Sequence, residues 1–303
     1  MAAPPPSSSA PPQNNVLRGA FWAVLAATFH ALVPVGVRYL SDTLPAVEIV
    51  FLRNGVGLSA FLCWFAWKGF GGMRTSRIGL HSVRNLMNFV GMWFWFAAIG
   101  MMPLGQAVAL HFTVPLMAVV LAVIFLRERP GLVRWMAVAV GFGGVMIILR
   151  PGEIEIGTAA LLVLGSALLY AGCGILSRTL GRTEQASVTT FFYLVTLTAC
   201  AAPFALTQWV TPDWSDLPAV LLLAAAGTAA PYCLFRAYRY AEASIVSPID
   251  FLRLPLTTGC ALLLFGETTD VWTWVGGAVI FGSTWFMTWR ESRRRRQPAK
   301  PAE

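Results

Sequence analysis

The sequence predicts an all-α membrane protein with ten transmembrane helices, arranged as two inverted repeats of five helices. Three observations support this fold class: the composition, the lengths of the apolar segments and the positions of the basic residues. Hydrophobic residues make up 57% of the chain, charged residues make up 12%, and the mean hydropathy is +0.66. Because soluble globular domains carry about 25% charged residues, this composition favours a membrane protein.

Apolar segments divide the chain into ten predicted spans, since a bilayer core of about 30 Å needs roughly 20 apolar residues in a helix. The spans are 17–38, 45–67, 81–100, 104–126, 132–149, 157–178, 186–207, 217–238, 245–265 and 271–289. The third and fourth are separated by the turn MMPLG, where Pro103 and Gly105 break a helix too long for one crossing. Ten of the 12 tryptophans lie near span ends, which is typical of interfacial aromatic belts.

The basic residues predict the orientation of the chain. Of 22 Lys and Arg residues, 17 lie at the N-terminus, in alternate loops or at the C-terminus, whereas Arg38 and Arg150 lie in the other loops. The 17 are Arg18, Lys68, Arg74, Arg77, Arg127, Arg129, Arg134, Arg178, Arg182, Arg236, Arg239, Arg290, Arg293, Arg294, Arg295, Arg296 and Lys300. This bias predicts that both termini are cytoplasmic. The net charge of +8 is therefore an orientation signal, and no nucleic-acid partner is expected.

An internal repeat relates the two halves of the chain with an offset of 139 residues. MPLGQAVALHFTVPLMAVVLAVIFLRE, from Met102, aligns without a gap on AEASIVSPIDFLRLPLTTGCALLLFGE, from Ala241, and the offset maps spans one to five onto six to ten. Because five is odd, the second half is inverted in the membrane, as is common in secondary transporters. The predicted domains are a disordered tail at 1–16, five-helix repeats at 17–149 and 150–289, and a basic cytoplasmic tail at 290–303.

Seven ionisable side chains are candidates for charges deep within the predicted spans. An ionised group at a helix centre costs about 2.5–3.5 kcal/mol on insertion scales, so each needs a partner or a water-filled cavity. The seven are His30, Glu48, Arg53, Arg84, His111, Asp250 and Arg253. Arg84 stands at the start of span three, and its side chain is expected to extend to the interface.

Asp250 and Arg253 are three residues apart and share one face of span nine. Either they neutralise each other as a local ion pair, or they form a cavity wall with a proton-sensitive carboxylate and a fixed positive charge. His111 occupies the repeat position equivalent to Asp250, which favours the cavity wall. Arg53 lies about 12 Å into span two and suits an anion, a carbonyl group or a buried carboxylate. Glu48 is nearer the periplasmic edge and is either interfacial or a proton site.

The aromatic residues Trp93 and Trp95 lie mid-span, two residues apart, so their side chains point in different directions. Trp93 and its repeat equivalent Tyr232 suit the stacking of a flat ring system, although such side chains also fill gaps between helices. His30 is either a ligand or a contact between helices. The predicted substrate-binding residues are His30, Arg53, Trp93, His111, Tyr232, Asp250 and Arg253, and the candidates for proton coupling are Glu48, His111 and Asp250.

Motifs for other functions are absent from the sequence. Without GxxxxGK[ST], HExxH or GxSxG, neither direct ATP use nor an enzyme is predicted. The five cysteines lie in apolar segments without metal-ligand spacing, so no metal or cofactor is expected. A membrane-embedded enzyme and a receptor or structural subunit remain alternatives. The repeat and the intramembrane charges favour a secondary transporter, with membrane lipid and a small-molecule substrate as partners and possible coupling to protons.

The motif EIVFLRNGVGL from Glu48 and the run FWFAAIGMMPLGQAVALHFTVPLMAVVLAVIFLRERP from Phe94 resemble the drug/metabolite transporter superfamily, EamA type. The resemblance covers nearly the whole chain after residue 16. It implies two five-helix bundles around a central cavity, with spans five and ten peripheral. The glycines of those two spans suit such a scaffold because they allow close helix contact. They are Gly141, Gly143, Gly144, Gly276, Gly277 and Gly282.

EIVFLRN and HFTVPL are most similar to a proteobacterial branch that includes riboflavin importers and S-adenosylmethionine transporters. This resemblance implies riboflavin uptake across a bacterial inner membrane, with the isoalloxazine ring against Trp93 and Tyr232 and its carbonyl groups near Arg53. Export of amino acids, S-adenosylmethionine-like metabolites or drugs is the alternative.

Overall fold

The computed structural model describes residues 16–68, 75, 77–127, 131–151, 157–180, 186–241 and 243–296. The predicted disordered tail, apart from Val16, lies outside these ranges, as do Arg74, Arg129, Arg182 and Lys300 of the basic pattern. The helices are α1 (Val16–Leu40), α2 (Ala46–Lys68), α3 (Ile78–Ile99), α4 (Leu104–His111), α5 (Val114–Leu126), α6 (Leu132–Leu149), α7 (Thr158–Leu180), α8 (Ala186–Thr207), α9 (Leu217–Tyr240), α10 (Ala243–Asp250), α11 (Arg253–Phe265) and α12 (Val271–Arg296).

Eight segments of the described chain are long and apolar enough to cross a membrane. The pairs α4–α5 and α10–α11 each count as one of the eight, whereas α3 and α12 are not among them. Buried polar residues such as Asn85 and Asn88 interrupt the apolar sequence of α3, and Trp, Gly, Ser and Thr residues lower the hydropathy of α12. The prediction of an all-α membrane protein is therefore confirmed for the described residues, while the count of ten crossings stays a prediction.

Two spans that the sequence predicts as continuous helices, 104–126 and 245–265, are each broken. α4 ends at His111 and α5 begins at Val114, and α10 ends at Asp250 and α11 begins at Arg253. Both breaks are followed by a proline in the first turn of the next helix, Pro115 or Pro255. Because proline has no N–H, it cannot bond the carbonyl four residues earlier, which interrupts the helical ladder.

The helix boundaries repeat with the offset found in the sequence. The bounds of α4 and α10 are 139 residues apart, and so are those of α5 and α11. The packing follows the same relation, because α1 packs on α9 as α3 packs on α7. α2 packs on α8, and α6 on α12, so these pairs join equivalent helices of the two halves.

Small residues allow α6 and α12 to pack closely. A Cβ atom on Gly144 would lie 2.7 Å from the Gly276 carbonyl oxygen, and one on Gly141 would lie 2.8 Å from Ser283 Oγ. The expected role of these glycines as contact points is thus confirmed. It is wrong for Gly143 and Gly282, where a Cβ would have no neighbour within 4 Å.

Ion pairs connect several helix ends on one side of the bundle. Arg38, near the end of α1, forms an ion pair in which its Nε atom lies 2.8 Å from Glu267 Oε1, and its Nη1 atom donates to the Gly100 carbonyl at 3.1 Å. The other carboxylate oxygen of Glu267 accepts the Leu104 N–H at 2.9 Å, at the start of α4. Arg150 likewise pairs with Asp270, so both arginines of the sparsely charged loops are neutralised.

Candidate functional site

The guanidinium of Arg53 lies where four helices meet. Its Nη1 atom lies 3.2 Å from Asn54 Oδ1, 3.4 Å from Met92 Sδ on α3 and 3.4 Å from the Tyr193 hydroxyl oxygen on α8. Its Nη2 atom donates to the Gly227 carbonyl oxygen on α9 at 3.3 Å. Every one of these partners is uncharged, so the positive charge of Arg53 is held in place without being neutralised.

Two neighbours determine where the Arg53 side chain can lie. Asn54 is fully buried, and its Nδ2 donates to the Val50 carbonyl at 2.8 Å, which directs its Oδ1 towards the guanidinium. Gly227 has no side chain, and a Cβ atom there would collide with the guanidinium nitrogens. A glycine in the middle of α9 is therefore a condition for the observed position of Arg53.

A second charged group, formed by His30, Asp250 and Arg253, lies around the break between α10 and α11. His30 Nδ1, on α1, lies 3.7 Å from Asp250 Oδ1, longer than a hydrogen bond. The Arg253 guanidinium lies over the Phe112 ring, 4.3 Å from its centroid, and acts electrostatically on Asp250. His30 Nδ1, Asp250 Oδ1 and Arg253 Nε are buried and make no hydrogen bond. Among the described residues Asp250 therefore has an ion-pair contact within 4 Å with His30 and none with Arg253.

His111, at the end of α4, lies beside this group. Arg253, His30 and Asp250 all act on it electrostatically. Its ring centroid is 4.3 Å from that of Trp95 and 5.4 Å from that of Tyr170 on α7. The structure therefore brings together the repeat equivalents His111 and Asp250. The equivalent rings of Phe112 and Phe251, one residue further along, are 5.4 Å apart.

Trp93 and Tyr232, the predicted stacking pair, do not lie together. Trp93 packs against Phe204 of α8, with ring centroids 5.3 Å apart. Tyr232 is 57% exposed and contacts Trp22 edge-on at 6.1 Å. The two residues have different neighbours because packing sets the rotation of each helix, and their predicted role in stacking a flat ring system stays a prediction. On α3 the residue that contacts His111 is Trp95.

Glu48 lies apart from both charged groups. It is fully buried near the start of α2, where its Oε2 accepts the Val210 N–H at 3.1 Å. Its Oε1 is buried and makes no hydrogen bond. The structure places Glu48 against the segment after α8 rather than at a protein surface, and its role in proton coupling stays a prediction.

Sequence reasoning missed a polar face of α3 that turns towards α7 and α8. Arg84 donates from Nε to Ser177 Oγ at 2.8 Å and from Nη1 to Asn85 Oδ1 at 3.2 Å. Asn85 is fully buried and donates to Thr196 Oγ1 at 3.3 Å. The expectation that Arg84 extends to the interface is wrong, since its side chain points between helices. The helical spacing of Arg84, Asn85 and Asn88 was the available signal.

Comparisons with known proteins agree with this architecture. The sequence profile of the EamA-like transporter family matches residues 17–150 and 157–289. A riboflavin transporter of Rhizobium johnstonii is 34% identical over 289 residues, which cover 94% of this chain and 96% of that protein. An S-adenosylmethionine uptake transporter of Rickettsia prowazekii is 26% identical and covers 92% of this chain and 95% of its own. A solved crystal structure that is 18% identical in sequence superposes with a TM-score of 0.62. The match covers 92% of this chain and 98% of the chain in that structure.

Proposed function

Since this chain belongs to the EamA-like transporter family, we propose that it takes up riboflavin across a bacterial inner membrane. The family and the related transporters confirm the expectation of a multi-pass membrane transporter for a small metabolite, not an enzyme. Riboflavin as the substrate rests on the similarity to riboflavin transporters, 34% identical in one case and 30% in another.

The geometry that carries the proposal is the Arg53 guanidinium, which has uncharged partners on four helices. A guanidinium donates hydrogen bonds in a planar fork and accepts none, so it suits the carbonyl oxygens of an isoalloxazine ring. We assign the stacking role to Trp95 in place of Trp93, because the Trp95 ring lies 4.3 Å from the His111 ring, beside the second charged group. Tyr193 and Tyr170 extend the polar and aromatic lining between the two charged groups.

The proposed architecture is ten spans in two inverted repeats, at 17–149 and 150–289, with both termini in the cytoplasm. The shared 139-residue offset of the helix bounds and the exchange of helix contacts support the repeat. Inversion follows if each half crosses the membrane five times. The neutralised charges of Arg38 and Arg150 suit loops on the outer side, where the positive-inside bias disfavours free basic residues.

Proton coupling is the proposed energy source, with His30, His111 and Asp250 as the exchanging groups and Glu48 as a further candidate. Buried titratable atoms without hydrogen bonds support this role, since a change of protonation could occur there without breaking a fixed contact. Substrate added to proteoliposomes should move protons in the direction of uptake. Transport that ignores both a pH gradient and a protonophore would contradict the proposal.

S-adenosylmethionine is the second candidate substrate. The relatives include S-adenosylmethionine uptake transporters, and the Asp250 carboxylate has a buried oxygen without a hydrogen bond that suits a cationic ligand. Export of such a metabolite remains an alternative direction.

Uptake of labelled riboflavin by a bacterial riboflavin auxotroph tests the substrate and the direction together. Cells that express the chain should show saturable uptake and grow at low riboflavin, unlike cells with the empty vector. Arg53→Gln should lower uptake at equal membrane abundance, while Arg77→Gln, at an exposed position before α3, should not. Absence of uptake by an abundant wild-type protein would reject riboflavin, and labelled S-adenosylmethionine would be tested next.

A further inference from the structure

Arg53 and Arg84 lie within the predicted spans, and among the described residues their contacts are all with uncharged groups. Arg53 contacts an amide, a thioether, a phenol and a backbone carbonyl. Arg84 contacts the hydroxyl of Ser177, the amide of Asn85 and the ring of a tyrosine. At the helix ends, by contrast, Arg38 and Arg150 each pair with a carboxylate. Because an unpaired cation in apolar surroundings is costly, two of them point to a ligand.

The carboxylates of the neighbouring helices are engaged elsewhere. Glu48, on the same helix as Arg53, accepts a hydrogen bond from the Val210 N–H at 3.1 Å. Asp250 lies 3.7 Å from His30 and interacts electrostatically with Arg253 and His111. In the part of the chain that the structure describes, Arg53 and Arg84 therefore have no anionic partner.

Tyr193 of α8 connects the two arginines. Its hydroxyl oxygen is 3.4 Å from Arg53 Nη1, and its ring centroid is 5.9 Å from Arg84 Cζ. Asn88, one helical turn after Arg84, is 8% exposed, and its Oδ1 is buried without a hydrogen bond. The positive charges of Arg53 and Arg84 thus lie on either side of the neutral Tyr193. Beside them, Asn88 Oδ1 lacks a hydrogen-bond donor among the described residues.

We propose that Arg53 and Arg84, on either side of Tyr193, bind an anionic group of a transported metabolite, a phosphate or a carboxylate. This inference rests on the proposed function and extends its substrate class from neutral flavins to phosphate esters of flavins. Guanidinium groups bind phosphate and carboxylate oxygens in bidentate pairs, and each arginine would gain the charged partner that it lacks among the described residues. A neutral flavin would use Arg53 through its carbonyl groups and leave Arg84 without a charged partner.

The first test measures anion binding without any flavin. The melting temperature of the purified full-length protein in detergent is compared in sodium phosphate and in sodium chloride of equal ionic strength. Phosphate should raise the melting temperature of the wild type and of Arg77→Gln, the matched control at the exposed position before α3. It should have no such effect on Arg84→Gln, or a reduced effect on Arg84→Lys should the Gln variant fail to fold. Equal phosphate effects in the wild type and both Arg84 variants, or none in the wild type, would overturn the proposal.

The second test separates the anionic subsite from the riboflavin assignment. A non-hydrolysable phosphonate analogue of riboflavin 5′-phosphate should compete with labelled riboflavin uptake at a concentration at least about tenfold lower than unlabelled riboflavin does. Arg84→Gln should bring this ratio to about one, since a charge-assisted contact is worth about tenfold or more in affinity. Riboflavin uptake with no preference for the phosphonate rejects the subsite alone. Arg84-dependent stabilisation by phosphate without riboflavin uptake rejects the proposed substrate alone.

Discussion

Replacement of Gly227 by alanine should displace the Arg53 side chain without lowering the stability of the protein. A Cβ atom at residue 227 would collide with Arg53 Nη2 and Nε and lie 2.7 Å from its Cζ. The guanidinium must therefore leave its hydrogen bond with the Gly227 carbonyl, and its contact with Tyr193 moves with it. Each hydrogen bond of a charged group contributes about 1.5–3 kcal/mol, so loss of the correct position should raise the KM for uptake by about tenfold or more.

The same substitution should not destabilise α9, because alanine is favoured over glycine in a helix by about 0.5–1 kcal/mol. Saturation kinetics of uptake and the melting temperature of purified protein are measured for Gly227→Ala. Gly143→Ala is the control, because a Cβ there would meet no atom within 4 Å, and it should leave the KM unchanged. An unchanged KM in Gly227→Ala would refute the assignment of Arg53 to the substrate site, whatever happens to the melting temperature.

Five further substitutions test other parts of the structure. Trp95→Ala should raise the KM by about threefold to tenfold, since an aromatic pair is worth about 0.5–1.5 kcal/mol, whereas Trp93→Phe should be tolerated in the same uptake assay. Tyr193→Phe removes the hydroxyl beside Arg53 and should raise the KM at unchanged membrane abundance. Asp250→Asn should abolish substrate-driven proton movement in proteoliposomes; full coupling in this variant would contradict its assigned role. Glu267→Gln should destabilise the protein by at most about 1 kcal/mol, seen as a lower melting temperature, because its ion pair is partly exposed.

The sequence predicted the positions of the helices well but not their continuity. The hydropathy that places a helix over 104–126 is the same on both sides of the break at Phe112. The break depends on one backbone hydrogen bond that Pro115 cannot form, and hydropathy does not register it. The extension of α12 to Arg296, beyond the predicted end at 289, has a similar origin. Its last turns are basic, so a hydropathy criterion ends the span although the residues are good helix formers.

The sequence predicted those residues of the candidate site that the internal repeat or an intramembrane charge marks. The repeat offset brought His111 and Asp250 together, and the unfavourable burial of a cation singled out Arg53. The choice between Trp93 and Trp95 required the rotation of α3 about its axis, which depends on packing against other helices. Tyr193 has no local pattern that marks it, because its role depends on contacts with Arg53 and Arg84, more than 100 residues away in the chain.

The two helix breaks have the same hydrogen-bond pattern and lie against each other. The Phe112 and Phe251 N–H groups each bond a carbonyl three residues earlier at 3.3 Å, and their rings are 5.4 Å apart. A helix with an interrupted ladder bends more easily at the interruption than elsewhere. We therefore expect α4 to tilt against α5, and α10 against α11, as one coupled movement about the Phe112–Phe251 contact. Two coupled hinges of this kind would let the group formed by His30, Asp250 and Arg253 face each side of the membrane in turn. The helices α6 and α12, which pack closely through glycines, would not move.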